Sequence, residues 1–149
     1  AEAARRGGVL TPLPLAAVQR GAGLGYTAHF ATLRVPDAQD LAALLASSPA
    51  GSDDLLREAG RQVGRMHAAG VAHPDLNLRN LLVRGADVYL LDFDRARVYP
   101  GPVPGCQRER DLLRLARSAR KLRAPIGSAG WAAFREGYGR GWPLRDDLG

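Results

Sequence analysis

The 149-residue chain predicts a single α+β domain, mainly helical over its second half. Two long stretches, about Asp53–Ala69 and Glu109–Arg123, carry apolar residues at three-to-four-residue spacing, the pattern of amphipathic helices. Two pairs of short apolar runs, Pro12–Val18 with Tyr26–Val35 and Asn80–Val83 with Val88–Phe93, are separated by glycine-bearing turns and read as hairpins. The length suits one domain with a core of its own and is too short for two ordinary ones.

Taken in order, Glu2–Arg6 suits a last helical turn stopped by Gly7-Gly8. The strand Tyr26–Val35 carries the β-branched and aromatic residues that favour a pleated surface. Between the first two strands, Gly21-Ala-Gly-Leu-Gly25 is a turn: G-x-G-x-G has the spacing of neither nucleotide-binding fingerprint, and no lysine follows. Pro36–Asp40 is a linker leading into a short helix, Leu41–Ser47. Pro49–Ser52 breaks that helix, and Ser52 or Asp53 caps the next. Leu55, Leu56, Ala59, Val63, Met66 and His67 form its apolar face, and Gly70 stands where a left-handed cap is favoured. Gly85-Ala-Asp87 turns the second hairpin, and Tyr99–Gly105 is a proline- and glycine-rich loop. On the second long helix Leu112, Leu115, Ala116, Ala119 and Leu122 share one face, with Arg110, Arg114, Arg117, Lys121 and Arg123 spread around it. Trp131–Tyr138 forms a last short helix, in which Trp131, like Trp142 beyond it, reads as a packing anchor.

Apolar residues make up 46% and charged residues 24%, the balance of a soluble globular protein. No apolar run approaches the ~20 residues that cross a bilayer, and Arg5-Arg6 is not followed by a signal-peptide core, so a cytoplasmic location is expected. The lone cysteine, Cys106, excludes an internal disulfide and a cysteine-rich zinc site. The net charge of +6 favours anionic partners. Lys121 is the only lysine among the 21 basic side chains, so part of the arginine excess reflects overall composition. The cations of the helix after Glu109 read as a solvated face, or as a contact for an anionic glycolipid or membrane surface. No nucleic-acid partner is expected, because no recognition motif accompanies the arginines.

The informative stretch is His73-Pro-Asp75-Leu-Asn77-Leu-Arg79-Asn80, followed by Leu91-Asp92-Phe93-Asp94. Phosphoryl transfer from ATP needs divalent metal on the phosphates and an acceptor hydroxyl held in line. Mg²⁺ takes hard oxygen ligands, one or two carboxylates plus phosphate and water. Asp92, at the end of an apolar strand, offers one such oxygen, and the amide of Asn80 offers another. Asp75 would face the acceptor hydroxyl. Taken alone, Asp92 reads first as a helix-cap or turn acid, and its spacing to Asp75 and Asn80 is what singles it out; His73 reads as structural rather than as a proton shuttle.

The pairing of H-x-D-L-x-x-x-N with L-D-F-D resembles the catalytic loop and metal-binding turn of the protein-kinase-like superfamily. The form here most resembles the 3-deoxy-D-manno-octulosonic acid (Kdo) kinases and related lipopolysaccharide-core kinases. Asn77 in H-x-D-L-N-x-x-N, the turn Asp92-Phe-Asp-Arg95, and the helix bearing Leu112-Leu-Arg-Leu-Ala-Arg-Ser118 carry the likeness. Pro14-Leu-Ala-Ala and Thr32-Leu-Arg-Val-Pro-Asp fit that family's strands and hinge, so the likeness runs from about Val9 to Trp142. It implies a protein-kinase-like fold: residues 1–35 a remnant of the N-terminal lobe, 36–52 the hinge and a short helix, 53–149 the helical C-terminal lobe. It implies ATP and Mg²⁺ as cofactors, Asp75 as catalytic base, Asn80 and Asp92 as ligands of the metal-nucleotide, and His73 as a brace. Asn77 takes the place of a lysine that in many protein kinases contacts the γ-phosphate, and Arg79 is positioned to share that work. The implied acceptor is a Kdo hydroxyl on lipid A-linked oligosaccharide, at the cytoplasmic face of the inner membrane.

Pro74 and Asp94 replace the arginine and glycine usual at their positions, which argues against control by an activation-loop phosphate. No lysine precedes Lys121, although a kinase of this kind needs one on an N-terminal-lobe strand, paired with a helical glutamate. The chain therefore reads as truncated, with weak or no phosphotransfer expected of it alone. The rival readings are a small-molecule kinase of the aminoglycoside or choline type, which an acidic acceptor site would favour, and a pseudokinase-like module that binds nucleotide without turnover.

Overall fold

The computed structural model describes residues 1–22, 25–48 and 51–144. The tip of the expected Gly21–Gly25 turn and the Pro49 break lie outside the described residues, as do the side chains of 14–32, among them His29, which reads from the sequence as a surface residue. The elements run α1 (Glu2–Arg6), β1 (Pro14–Ala22), β2 (Gly25–Thr32), β3 (Gln39–Asp40), α2 (Leu41–Ser47), α3 (Asp53–Ala68), β4 (Val71–Ala72), a 3-10 turn (Leu78–Asn80), β5 (Leu81–Arg84), β6 (Asp87–Leu90), β7 (Arg97–Val98), α4 (Gly105–Lys121) and α5 (Ser128–Tyr138).

The strands among the described residues form three small antiparallel sheets. β1 and β2 form a hairpin on their own. β5 and β6 form a second hairpin that β3 joins through Gln39↔Val83 and Asp40↔Leu82. β4 and β7 pair through Val71↔Val98 and Ala72↔Arg97. The segment read as a linker, Pro36–Asp40, thus ends in a short edge strand. Asp40 then caps α2, its carboxylate accepting the Ala43 N–H at 2.9 Å.

The core lies where α2, α3 and α4 meet the β5–β6 hairpin. Leu41 and Leu45, Leu56, Val63 and Met66, Leu81 and Leu90, and Leu112 and Leu115 are all buried there. Each fully buried leucine or methionine side chain contributes about 1.5–3 kcal/mol. Of the apolar face expected of α3, Leu56, Ala59, Val63, Met66 and His67 are buried, while Leu55 at its edge is only half-buried. Ser52 does occupy the N-cap position of α3, but without a side-chain capping bond; Asp53 and Asp54 supply first-turn negative charge instead.

α3 and α5 pack with almost no space between them. A Cβ placed on Gly60 would overlap the Phe134 carbonyl, and one on Gly137 the Arg57 carbonyl. Glycines that weaken each helix in isolation are what allow the two backbones to touch. Trp131, Phe134 and Tyr138 fill the rest of this junction, and Trp142 stacks edge-on against Phe134 and Tyr138 at centroid distances of 6.2 and 5.2 Å.

Several boundaries differ from expectation. α4 begins at Gly105, with Pro104 as its N-cap residue, not near Glu109. Proline and glycine are tolerated before and at the first turn, where the N–H groups have no helical partners. Arg123 lies beyond the end of α4, in a left-handed conformation (φ 51°). Asp87 belongs to β6, leaving Gly85-Ala86 as the turn, with Gly85 at φ 58°. β2 ends at Thr32, short of Val35. Gly70 (φ 76°) takes the expected left-handed conformation, and a Cβ there would lie 2.5 Å from the Gly101 carbonyl oxygen.

Candidate active site

The His73–Asn80 loop leaves the end of α3 through β4 and returns into β5, so both of its ends are tied to the core. Inside the loop, backbone amides are satisfied by side chains drawn from it. The Asn77 carbonyl oxygen Oδ1 accepts the Arg79 and Asn80 N–H groups at 3.0 and 3.2 Å. The Asn77 amide nitrogen donates to the Asp75 carbonyl at 2.8 Å, and the Asn80 amide nitrogen donates to the same oxygen at 3.1 Å. Asn77 therefore uses both ends of its amide to shape the loop. Asn80 uses only its nitrogen, and the orientation this imposes leaves its Oδ1 as the end open to a ligand.

The loop is stitched to the strand end that carries Asp92. His73 Nε2 lies 2.9 Å from the Leu91 carbonyl, which can only accept, so Nε2 bears a proton. The Leu91 N–H donates to the Asn80 carbonyl at 2.8 Å. Leu91 is thereby held from both sides by the first and last residues of the loop. The next residue, Asp92, is exposed and left-handed (φ 60°), a conformation that is strained for a residue with a Cβ. The Phe93 ring then packs on His73, with centroids 5.2 Å apart.

α4 holds the loop from behind. Asp111, 1% exposed, accepts the His73 backbone N–H at 2.8 Å, a bond from His67 Nε2 at 3.3 Å and one from Gln107 Nε2 at 2.9 Å. Two turns further along, the Ser118 hydroxyl accepts the Leu78 N–H at 3.1 Å. Burial by itself would raise the Asp111 pKa, but the bonds from His67, His73 and Gln107 outweigh it and hold the carboxyl below its ordinary range. Burial lowers the pKa of His67, keeping the ring neutral at pH 7. A neutral His67 donates from Nε2 to Asp111 and accepts the Tyr138 hydroxyl proton at Nδ1, 2.8 Å away. Burial likewise raises the Tyr138 pKa, so the phenol keeps the proton it donates.

Asp75 is one-third exposed. Its Oδ2 lies 3.4 Å from Arg95 Nη1, and its Oδ1 lies 4.0 Å from Arg114 Nη1. Arg79 is exposed, and its side chain makes no hydrogen bond or ion pair among the described residues. The structure thus gathers His73, Asp75, Asn77 and Asn80 into one bonded loop and attaches Asp92 to it, while Arg79 stands apart. Asp111 is the functional residue that motif reading misses. The signal lay in an acid at i, i+4 and i+8 register with Leu115 and Ala119, on a face otherwise apolar. Among the described residues no group of three or more His, Cys, Asp or Glu side chains could hold a metal by itself. No helix among them is long and apolar enough to cross a membrane.

The sequence pattern of the lipopolysaccharide kinase (Kdo/WaaP) family matches residues 2–138. The 3-deoxy-D-manno-octulosonic acid kinase of Vibrio cholerae is 40% identical over 118 residues, covering 78% of this chain and 48% of the relative. The enzyme of the same name from Xanthomonas campestris is 40% identical over 114 residues, 75% of this chain and 44% of the relative. That from Actinobacillus succinogenes is 35% identical over 140 residues, 88% of this chain and 57% of the relative. The chain spans about half the length of the curated relatives it matches. Among solved structures, WaaP in complex with acyl carrier protein aligns with 92% of this chain and 62% of its own at a TM-score of 0.76 and 24% identity. That likeness shows the protein-kinase-like fold.

Proposed function

Because the chain belongs to the lipopolysaccharide kinase (Kdo/WaaP) family, we propose that the protein it forms transfers the γ-phosphoryl group of ATP to a hydroxyl of a Kdo sugar on lipid A-linked inner core. The observation that carries the reading is the pair of bonds fastening Leu91 to His73 and Asn80. Through them Asp75, Asn80 and Asp92 belong to one braced unit rather than to three independent loops.

In this reading Asp75 receives or orients the acceptor hydroxyl's proton as that oxygen bonds to γ-phosphorus and the bond to the departing ADP oxygen breaks. Asn80 and Asp92 would hold a magnesium ion, since a free amide oxygen and an exposed carboxylate are the hard donors it favours. When bound, the ion offsets negative charge on the phosphates. His73 and Asn77 are positioning residues that act through Leu91, Asp75 and Asn80. Arg79, exposed at the loop's edge, contributes positive charge toward the nucleotide phosphates. Work is proposed at the cytoplasmic face of the inner membrane, where the cations of α4 contact an anionic surface.

The test is transfer of labelled phosphate from Mg·ATP to a Kdo-bearing lipid A acceptor by the full-length natural protein. Asp75→Asn is expected to lower kcat about 10²–10⁴-fold with little change in melting temperature. Retention of full activity in that variant would sink the assignment.

A further inference from the structure

We propose that Arg95 and Arg114 form a seat for the carboxylate of an acidic sugar acceptor, directly beside Asp75. The inference rests on the functional reading above and extends it to how the acceptor is chosen. The two guanidiniums come from separate elements, Arg95 from the turn after Asp92 and Arg114 from α4, and each approaches a different oxygen of Asp75.

Neither contact is a structural bond. At 3.4 and 4.0 Å both exceed a charge-assisted hydrogen bond, and the arginine side chains are 78% and 55% exposed. Exposed pairs of this kind add little to stability. Each arginine therefore keeps its planar fork of donors free for a second carboxylate. What is fixed is where they stand. The Ala96 N–H donates to the Phe93 carbonyl at 3.0 Å, closing the turn that contains Arg95. Arg114 lies between Asp111 and Ser118 on the helix edge that grips the catalytic loop, at i, i+3 and i+7. The residues that hold the loop and the residue that would read the acceptor thus share one rigid edge.

The charge logic also requires such a seat. A sugar carboxylate brought to the carboxyl group of Asp75 is poorly placed without cations between them, and the two guanidiniums flanking Asp75 supply these. An acceptor carboxylate also draws the guanidiniums away from Asp75, leaving its oxygens open to the hydroxyl. A neutral or cationic acceptor gains nothing from this arrangement and meets two positive charges at the mouth of the site.

The experiment uses the full-length protein with the methyl glycoside of Kdo and its carboxyl methyl ester as probes. Binding is followed by NMR titration, and phosphoryl transfer to the same two compounds is followed in parallel. The acid is expected to bind roughly tenfold or more tightly than the ester. Arg95→Ala and Arg114→Ala are each expected to erase most of that preference. Arg84→Ala, which removes an exposed cation from the β5–β6 hairpin, is expected to leave the preference within about twofold. Equal binding of acid and ester, no saturation by either, or an undiminished preference in both arginine variants would each overturn the seat. Acid preference without phosphoryl transfer would leave the seat standing and remove the kinase reading. Transfer to both compounds alike would do the reverse.

Discussion

Asp111 makes the strongest structural prediction, because three donors converge on one buried carboxylate. Asp111→Ala removes the acceptor for the His73 N–H, His67 Nε2 and Gln107 Nε2 together. Gln107 is part-buried and can turn toward water, but the other two donors sit in the interior. A buried donor left unpaired costs about 1–3 kcal/mol, so the variant should lose about 3–5 kcal/mol once the void is counted. For a domain of this size that corresponds to a fall of roughly 6–20 °C in Tm. Asp111→Asn should behave differently. Its oxygen can take the Oδ2 position and keep the bonds from His73 and His67, while Gln107 turns its amide to accept from the new NH₂ group. Loss of the negative charge should then cost only about 1–2 kcal/mol. Urea unfolding at pH 7, followed by tryptophan fluorescence, separates the two. An alanine variant within about 0.5 kcal/mol of the parent, or an asparagine variant as damaged as the alanine one, would refute the account of how α4 holds the loop.

Three further outcomes follow from the packing of α3 and from the backbone at Asp92. His67 is lowered in the folded state, so the unfolded chain takes up the proton first as pH falls. The stability gained by keeping the ring neutral is present above the unfolded value of about 6.5 and is lost progressively below it, with a slope approaching about 1.4 kcal/mol per pH unit. His67→Gln should be less stable at pH 7.5 yet show a shallower decline between pH 7 and 5 in the same unfolding assay; an unchanged slope would contradict the assignment. Gly60→Ala should destabilise by about 2–4 kcal/mol, because its methyl group meets the Phe134 backbone, which cannot swing aside; a melting scan showing no loss would mean that α3 and α5 do not approach this closely. Asp92→Gly should melt at or above the parent temperature, while Asp92→Ala should lose about 1 kcal/mol, since only glycine adopts a positive φ without strain; equal stabilities would remove the evidence for strain at this position.

The parts of this molecule that sequence reading reaches are those with either a period or a chemical signature. The apolar face of α3 and the hairpin bearing Val83 and Val88 are visible from spacing. His73, Asp75, Asn80 and Asp92 stand out because their joint spacing resembles a kinase-like catalytic loop and turn, and the bonds at Leu91 do bring those two segments together. β3, β4 and β7 are two residues each, too short for any alternation, and exist only because distant segments meet. The start of α4 was hidden by Pro104-Gly105, which read as loop although both residues are acceptable at a helix entrance. Gly60 and Gly137 looked like weaknesses in their helices until the opposing carbonyls were in view. Asn77 shows the limit most clearly: its place in the motif is that of a lysine in many protein kinases, and nothing in the spacing discloses that its amide bonds the Asp75 carbonyl and two loop N–H groups.

The central claim is that an amide oxygen at position 80 and a carboxylate at position 92 meet the same nucleotide-bound cation, with Asp75 left to the acceptor. Anomalous diffraction from crystals of the full-length protein with Mn²⁺ and a non-hydrolysable ATP analogue locates that cation without any assay of turnover. The account predicts one metal peak within about 2.0–2.3 Å of both Asn80 Oδ1 and an Asp92 oxygen. A nucleotide-bound metal ligated by neither residue, or one held by Asp75 in their place, would contradict it.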